Sequence, residues 1–261
     1  TMMNSLWIAK TGMNAQQTNM DTVSHNLANV TTTGFKRQTA VFEDLIYQNL
    51  RQVGSQVDEQ NQLPTGMHMG LGVRSVATTR TFSQGTPLET GKAYDVAVNG
   101  DGFFQIQMPD GSTTYTRDGT FALNGDGTLV TSGGYPLLDG ITVPPDSRSF
   151  TISKTGIVTV LAPGETEPQQ IGQLNLATFI NPAGLEPVGE NLYRETPASG
   201  APQTGAPGDT SIGTVLQCYL ESSNVNVVNE LVTMIQTQRA YEMNSKAIST
   251  SDQMLGRLVQ I

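Results

Sequence analysis

Metal or nucleophilic chemistry in this chain would have to be built from very few residues. There are two histidines, His25 and His68, and one cysteine, Cys218. The histidines lie in different segments, with no cysteine or acidic ligand at metal-binding spacing around either, so they read as solvated or interface residues. Cys218 has no neighbouring histidine to activate it and reads as a structural thiol; a lone cysteine also rules out an intramolecular disulfide. The two Asn-Gly-Asp-Gly runs, at 99–102 and 124–127, resemble calcium loops, but neither is followed by the bidentate glutamate such a loop needs. Turn formation accounts for both. Gly70-Leu71-Gly72 lacks the further glycine and helix of a dinucleotide loop, and no serine sits in a nucleophile elbow. The expectation is therefore a protein that is not an enzyme, with no catalytic, cofactor-binding or metal-ligating residues and no cofactor.

What the chain has instead is pattern at its two ends. Leu6, Met13, Met20 and Leu27 recur every seventh residue, with Ala9, Val23 and Val30 on the same side. Val227, Met234, Tyr241, Ile248 and Leu255 do the same near the C-terminus, joined by Leu231 and Val259. Such a repeat marks helices that pack along a seam. All 13 prolines lie from Pro64 to Pro207, so both ends are free to be helical. The spacing predicts one helix over about residues 4–30, stopped by Thr31-Thr32-Thr33-Gly34, and another from about Asn226 onward. The polar face of the first is rich in neutral amides: Asn14, Gln16, Gln17, Asn19, Asn26 and Asn29. Amides form hydrogen bonds inside a crowded interface without the cost of burying ions.

Between the ends the pattern changes. Phe42, Leu45, Ile46 and Leu50 fall at helical or near-helical spacing within residues 35–50. Residues 52–62 are polar and aperiodic and read as a loop or extended arm. From Val73 onward, short alternating runs lie between turn signals. Hairpin turns are expected at 99–102, at Asp110-Gly111 and at 124–127. Strands are expected over 128–131, 150–153, 156–161 and 173–179, and a loop over 197–209. The predicted class is α+β: N- and C-terminal α-helices form a coiled-coil-like helical domain (residues 1–35 and 224–261). A linker or extended arm occupies 36–72, and a central all-β, barrel- or sandwich-like domain 73–223.

The formal net charge of −9 is concentrated in the middle. From Glu43 to Glu221 there are 19 acids against 8 bases, while the flanks carry 4 acids and 6 bases. An acidic body lacks the Lys and Arg density that phosphate contacts demand, which excludes nucleic acid as a partner. No run approaches the roughly 20 apolar residues of a membrane span, so no direct membrane insertion is expected. The first residues show no signal-peptide pattern, and the expectation is a cytoplasmic protein or one exported without a cleaved signal.

Three sequence blocks carry a resemblance. Ala28-Asn29-Val30-Thr31-Thr32-Thr33-Gly34-Phe35-Lys36 resembles the N-terminal signature of bacterial flagellar rod and hook axial proteins. Val98-Asn99-Gly100-Asp101-Gly102-Phe103-Phe104, followed by Tyr115-Thr116-Arg117-Asp118-Gly119, is similar to the body of that family. Ser223-Asn224-Val225-Asn226, with 231–235 and 238–242, is similar to its C-terminal helix. The blocks fall in the family's order across nearly the whole chain.

The resemblance implies a structural subunit that assembles with itself into a helical tube. Partners would be other flagellar rod proteins, the hook protein, the P-ring and L-ring bushing proteins and the flagellar type III export apparatus. Subunit contacts would then fall on Leu6, Met13, Met20, Val23, Leu27, Val30, Val227, Leu231, Met234, Tyr241, Ile248, Leu255 and Val259. The arm from Tyr47 to Thr65, with Leu50, Val53, Val57, Leu63 and Pro64, would stiffen a rod; the family's hook protein lacks it. Readings left open are another rod or hook-type member, an oligomeric extracellular β-domain adhesin, and a carbohydrate-active enzyme on the β body.

Overall fold

The computed structural model describes residues 2–51, 56–58, 61–62, 66–164 and 167–259. The fold is α+β, with one long helix at each end and a many-stranded β region between them. The chain divides into two units. One comprises residues 1–27, 38–79 and 226–261; the other comprises 28–37 and 80–225.

In the first unit, helix α1 spans Met2–Ala28 and helix α2 spans Val227–Val259. The Asn226 side chain caps α2: its Oδ1 accepts from the Asn229 N–H at 3.2 Å, and its carbonyl accepts from Glu230 at 3.0 Å. Between the helices in sequence lie two-stranded pairings, Gln38–Asp44 with Val73–Arg80 and Tyr47–Arg51 with Met67–Gly70. The second pair is antiparallel, with Tyr47 opposite Gly70. A third, Gln56–Asp58 with Asn61–Gln62, continues the arm. The helical spacing over 35–50 is thus corrected. These residues are strands, because Thr39, Val41 and Tyr47 suit a pleated ribbon and a partner strand satisfies their backbone groups.

The second unit holds a six-stranded sheet. Its order is Glu186–Gly189, Leu192–Arg194, Thr113–Thr116, Phe103–Gln107, Leu176–Thr178, Gln203–Gly205. A three-stranded sheet, Ser149–Ile152, Ile157–Leu161 and Gln169–Gln173, accompanies it. The sheets are open, and no closed barrel exists among the described residues, which corrects the barrel alternative. Period-two alternation divides the interior. Phe104 and Ile106 enter the main core with Val98, Leu129, Leu137, Val158 and Leu176. Phe103, one residue earlier, enters an aromatic cluster with Tyr115, Phe179 and Tyr193.

Two of the three expected hairpin turns are present. Asp110-Gly111 joins paired strands (Thr113 opposite Gln107), and 124–127 joins Phe121–Leu123 to Leu129–Thr131. Asn124 Oδ1 closes the second turn by accepting from both the Asp126 and Thr128 N–H groups at 2.9 Å. Residues 99–102 form no hairpin. Val96–Asn99 pairs with Thr214–Gln217, whereas Phe103–Gln107 enters the six-stranded sheet. Gly100 (φ +105°) and Gly102 (φ +148°) let the chain bend between sheets there. The expected loop over 197–209 contains the short strand Gln203–Gly205, and the run 173–179 is split between two strands.

Candidate assembly interface

In the first unit, α1 and α2 run antiparallel. Asn19 Nδ2 donates to Thr237 Oγ1 at 3.0 Å, and Asn26 Nδ2 donates to Glu230 Oε2 at 3.3 Å. A methyl group placed on Gly12 would lie 3.0 Å from the Asn244 amide. The line between the helices is therefore polar and small, not the apolar stripe, with Ala9, Ala15, Thr22 and Val23 buried beside it. Asn26 is 1% exposed and makes a further two-sided contact with the Gln38 backbone: Nδ2 donates to its carbonyl at 2.7 Å and Oδ1 accepts from its N–H at 2.9 Å.

The apolar stripes flank this line. Leu6, Met13, Met20, Leu27 and Val30 are half-buried, and Val23 is buried. On α2, Met234, Ile248 and Leu255 are half-buried, while Val227, Leu231 and Tyr241 are exposed. The side chain of Val259 lies outside the described residues. Sequence periodicity missed a further exposed group: Val228 (68% exposed), Val232 (48%) and Ile235 (51%), which lie with Leu231 along one stretch of α2. On the arm, Tyr47 and Leu50 are exposed. Val53, Leu63 and Pro64 lie outside the described residues; Val57 falls in the strand Gln56–Asp58, and nothing is described of its side chain. His25 is exposed on α1; His68 is exposed on its strand and contacts Asn49.

In the second unit, Lys36 of the first sequence block and Arg117 of the second meet Glu221, two residues before the third, in one buried ion cluster. Lys36 Nζ donates to Glu221 Oε1 at 2.5 Å and to the Ser83 carbonyl at 2.8 Å. Arg117 Nη1 reaches Glu221 Oε2 at 3.4 Å, and Nη2 donates to the Gly100 carbonyl at 2.8 Å. The Gly85 N–H completes the carboxylate at 2.8 Å. Burial pulls both the Lys36 ammonium and the Arg117 guanidinium below their usual pKa values; the charges of Glu221 and Asp101 oppose it. Backbone bonds bind the same segments: Gly34 N–H donates to the Glu221 carbonyl at 2.8 Å, and Arg37 N–H to Asn224 Oδ1 at 2.7 Å. Gly34 has φ +68°, and a Cβ there would sit 2.7 Å from the Asp118 nitrogen, so only glycine fits without a shift. Cys218, half-buried, also adopts a left-handed φ of +64°, between the strands Thr214–Gln217 and Tyr219–Glu221.

These surfaces and clusters offer contact and rigidity; no arrangement of nucleophile and base emerges among the described residues. The comparisons with known proteins agree with that character. The family described as flagella basal body rod protein matches residues 6–36. That described as flagellar hook protein FlgE/F/G D1 domain matches 97–160, and that described as flagellar basal body rod FlgEFG protein C-terminal matches 216–261. The chain is 55% identical over 260 residues to the flagellar basal-body rod protein FlgG of Buchnera aphidicola subsp. Schizaphis graminum, covering 100% of each. It is 47% identical to the protein of the same name from Caulobacter vibrioides, covering 99% of each, and 39% identical to that of Bacillus subtilis, covering 100% of this chain and 99% of the relative.

Proposed function

The chain belongs to the flagellar basal-body rod protein family, and from that premise we propose that it is a subunit of the distal rod. It assembles with itself into a rigid helical tube that transmits motor torque to the hook and encloses the export channel. The observation that carries this reading is the uncovered apolar face Val228, Leu231, Val232 and Ile235 on a helix whose other side is already engaged. Exposed apolar side chains grouped this way call for a partner, and a second copy of the chain supplies one. A contact between two different surfaces of identical subunits does not close on itself, so it propagates as a helix.

Isolated helices of this kind are marginal in water. The terminal helices therefore order fully on meeting neighbours, and burial of their stripes offsets the ordering cost. The acidic body faces outward, where it turns within a ring bushing without adhering to anionic surroundings. The subunit reaches the basal body through the type III export apparatus. The arm of residues 47–65 contacts an axial neighbour and resists bending, an assignment supported by the exposure of Ile46, Tyr47, Leu50 and Met67 at its base.

Electron microscopy of the concentrated protein tests the reading: straight hollow filaments are expected, and a small closed oligomer or a persistent monomer would refute it. A chain lacking residues 47–65 should still polymerise but bend more; unchanged stiffness would remove the arm from the mechanism.

A further inference from the structure

The contacts between α1 and α2 recur with a fixed step. Gly12 faces Asn244, Asn19 faces Thr237 and Asn26 faces Glu230, so each seven-residue step up α1 is matched by seven residues down α2. Asn26 and Glu230 are at most 1% exposed, and Thr237 is 3% exposed. Leucines at these positions would bury more apolar area, yet the chain places amides, a hydroxyl and a carboxylate there. Buried polar groups of this kind penalise every arrangement that leaves them unmatched, and this is how single polar residues fix register in coiled coils at a cost in stability.

We propose that the Asn19–Thr237 and Asn26–Glu230 pairs, with Gly12 opposite Asn244, are a register lock. They hold the two terminal helices at one longitudinal setting. Asn26 cannot follow a sliding helix, because both ends of its amide are bonded to the Gln38 backbone. Sliding α2 one heptad, about 10 Å, takes the Glu230 carboxylate away from the Asn26 amide in either direction and sets Asn19 against Asn244 or Glu230 instead of Thr237. The consequence is positional. The apolar face formed by Val228, Leu231, Val232 and Ile235 is presented at a single height along α1. An apolar seam with heptad repetition would allow several heights.

The test is disulfide mapping in the full chain, with Cys218→Gly as background because the backbone there is left-handed. One variant carries Gly12→Cys with Asn244→Cys, the register described; another carries Gly12→Cys with Ser251→Cys, a one-heptad slip. A disulfide bridges Cα atoms no more than about 7 Å apart, so the two variants report distinct registers. Oxidation is followed on the variant copolymerised with excess Cys218→Gly chain, where the helices are ordered, with incorporation of the variant scored separately, so that failure to polymerise and failure of the lock are told apart.

With the native seam, the 12–244 crosslink should exceed the 12–251 crosslink by about tenfold or more, and comparable yields would overturn the lock. With Asn19→Leu, Thr237→Leu, Asn26→Leu and Glu230→Leu together, the two yields should become comparable; a preserved preference of about tenfold would equally overturn it. Should that variant lose its near-ultraviolet dichroism, Asn19→Leu with Thr237→Leu, which keeps the Asn26 contacts, gives the answer. The preference should fall at least about threefold, and an unchanged ratio contradicts the proposal.

Discussion

The Nζ of Lys36 lies 2.5 Å from Oε1 of Glu221, across 185 residues of sequence, with both side chains withdrawn from solvent. Lys36 follows the glycine that ends the first terminal segment, and Glu221 precedes the cap of α2. Within the second unit, one buried pair thus joins the segment after α1 to the strand before α2, with Arg117 as third member. Removing one partner of such a cluster costs far more than the pair contributes against an apolar isostere, because a charge is left buried without compensation.

Glu221→Ala is accordingly expected to destabilise the β unit by about 3–5 kcal/mol, since it strands two cations. Urea unfolding followed by tyrosine fluorescence measures this. A loss below about 1 kcal/mol, the range of an exposed pair, would mean the cluster is not desolvated in solution.

The Tyr115 hydroxyl has its pKa pushed up to about 12 from 10.0, first by burial and then by the Glu195 carboxylate beside it. Folding therefore favours the protonated phenol. Its stabilisation is complete below pH 10 and is lost as the pH rises through about 12, because the unfolded chain ionises first. Tyr193, raised by burial, acts in the same direction. Denaturant melts across this window should show stability falling with pH, less steeply in Tyr115→Phe. A Tyr115→Phe protein with the same slope would contradict the assignment.

Charge on the open face of α2 should act on assembly alone. Val228→Glu and Ile235→Glu place carboxylates where both side chains are exposed, so the β unit should melt unchanged. The critical concentration for polymerisation should rise by about tenfold or more for each, the equivalent of about 1.4 kcal/mol per contact. Sedimentation assays that find polymer at the wild-type threshold would exclude this face from the interface.

Periodicity and turn chemistry made much of the fold legible. Both helices, the turns at Asp110-Gly111 and 124–127, and the α+β class follow from local signals. The misreadings have a common cause. Phe42, Leu45, Ile46 and Leu50 mimic helical spacing, and only the partner strands some 20–30 residues onward decide for a ribbon. Asn99-Gly100-Asp101-Gly102 has hairpin composition, but Val96–Asn99 finds its partner at Thr214–Gln217. The stripes were visible and the amides suggested a crowded interface, yet nothing local singled out Asn19 and Asn26 as the ones facing α2, because their partners Thr237 and Glu230 lie more than 200 residues away. Arg117 and Glu221, 104 residues apart, carried no local mark at all. Motif resemblance placed Lys36 and Arg117 in blocks without saying what the blocks share.

On the proposed function, the ends of this chain become ordered scaffolding only in contact with neighbouring copies. Hydrogen–deuterium exchange of α1 and α2, compared between dilute protein and sedimented polymer, addresses it most directly. Amides over residues 4–28 and 227–257 should exchange rapidly in dilute solution and become protected in the polymer, while the core around Phe104 and Val158 stays protected in both. Equal and strong protection of the terminal helices in dilute solution would contradict the account.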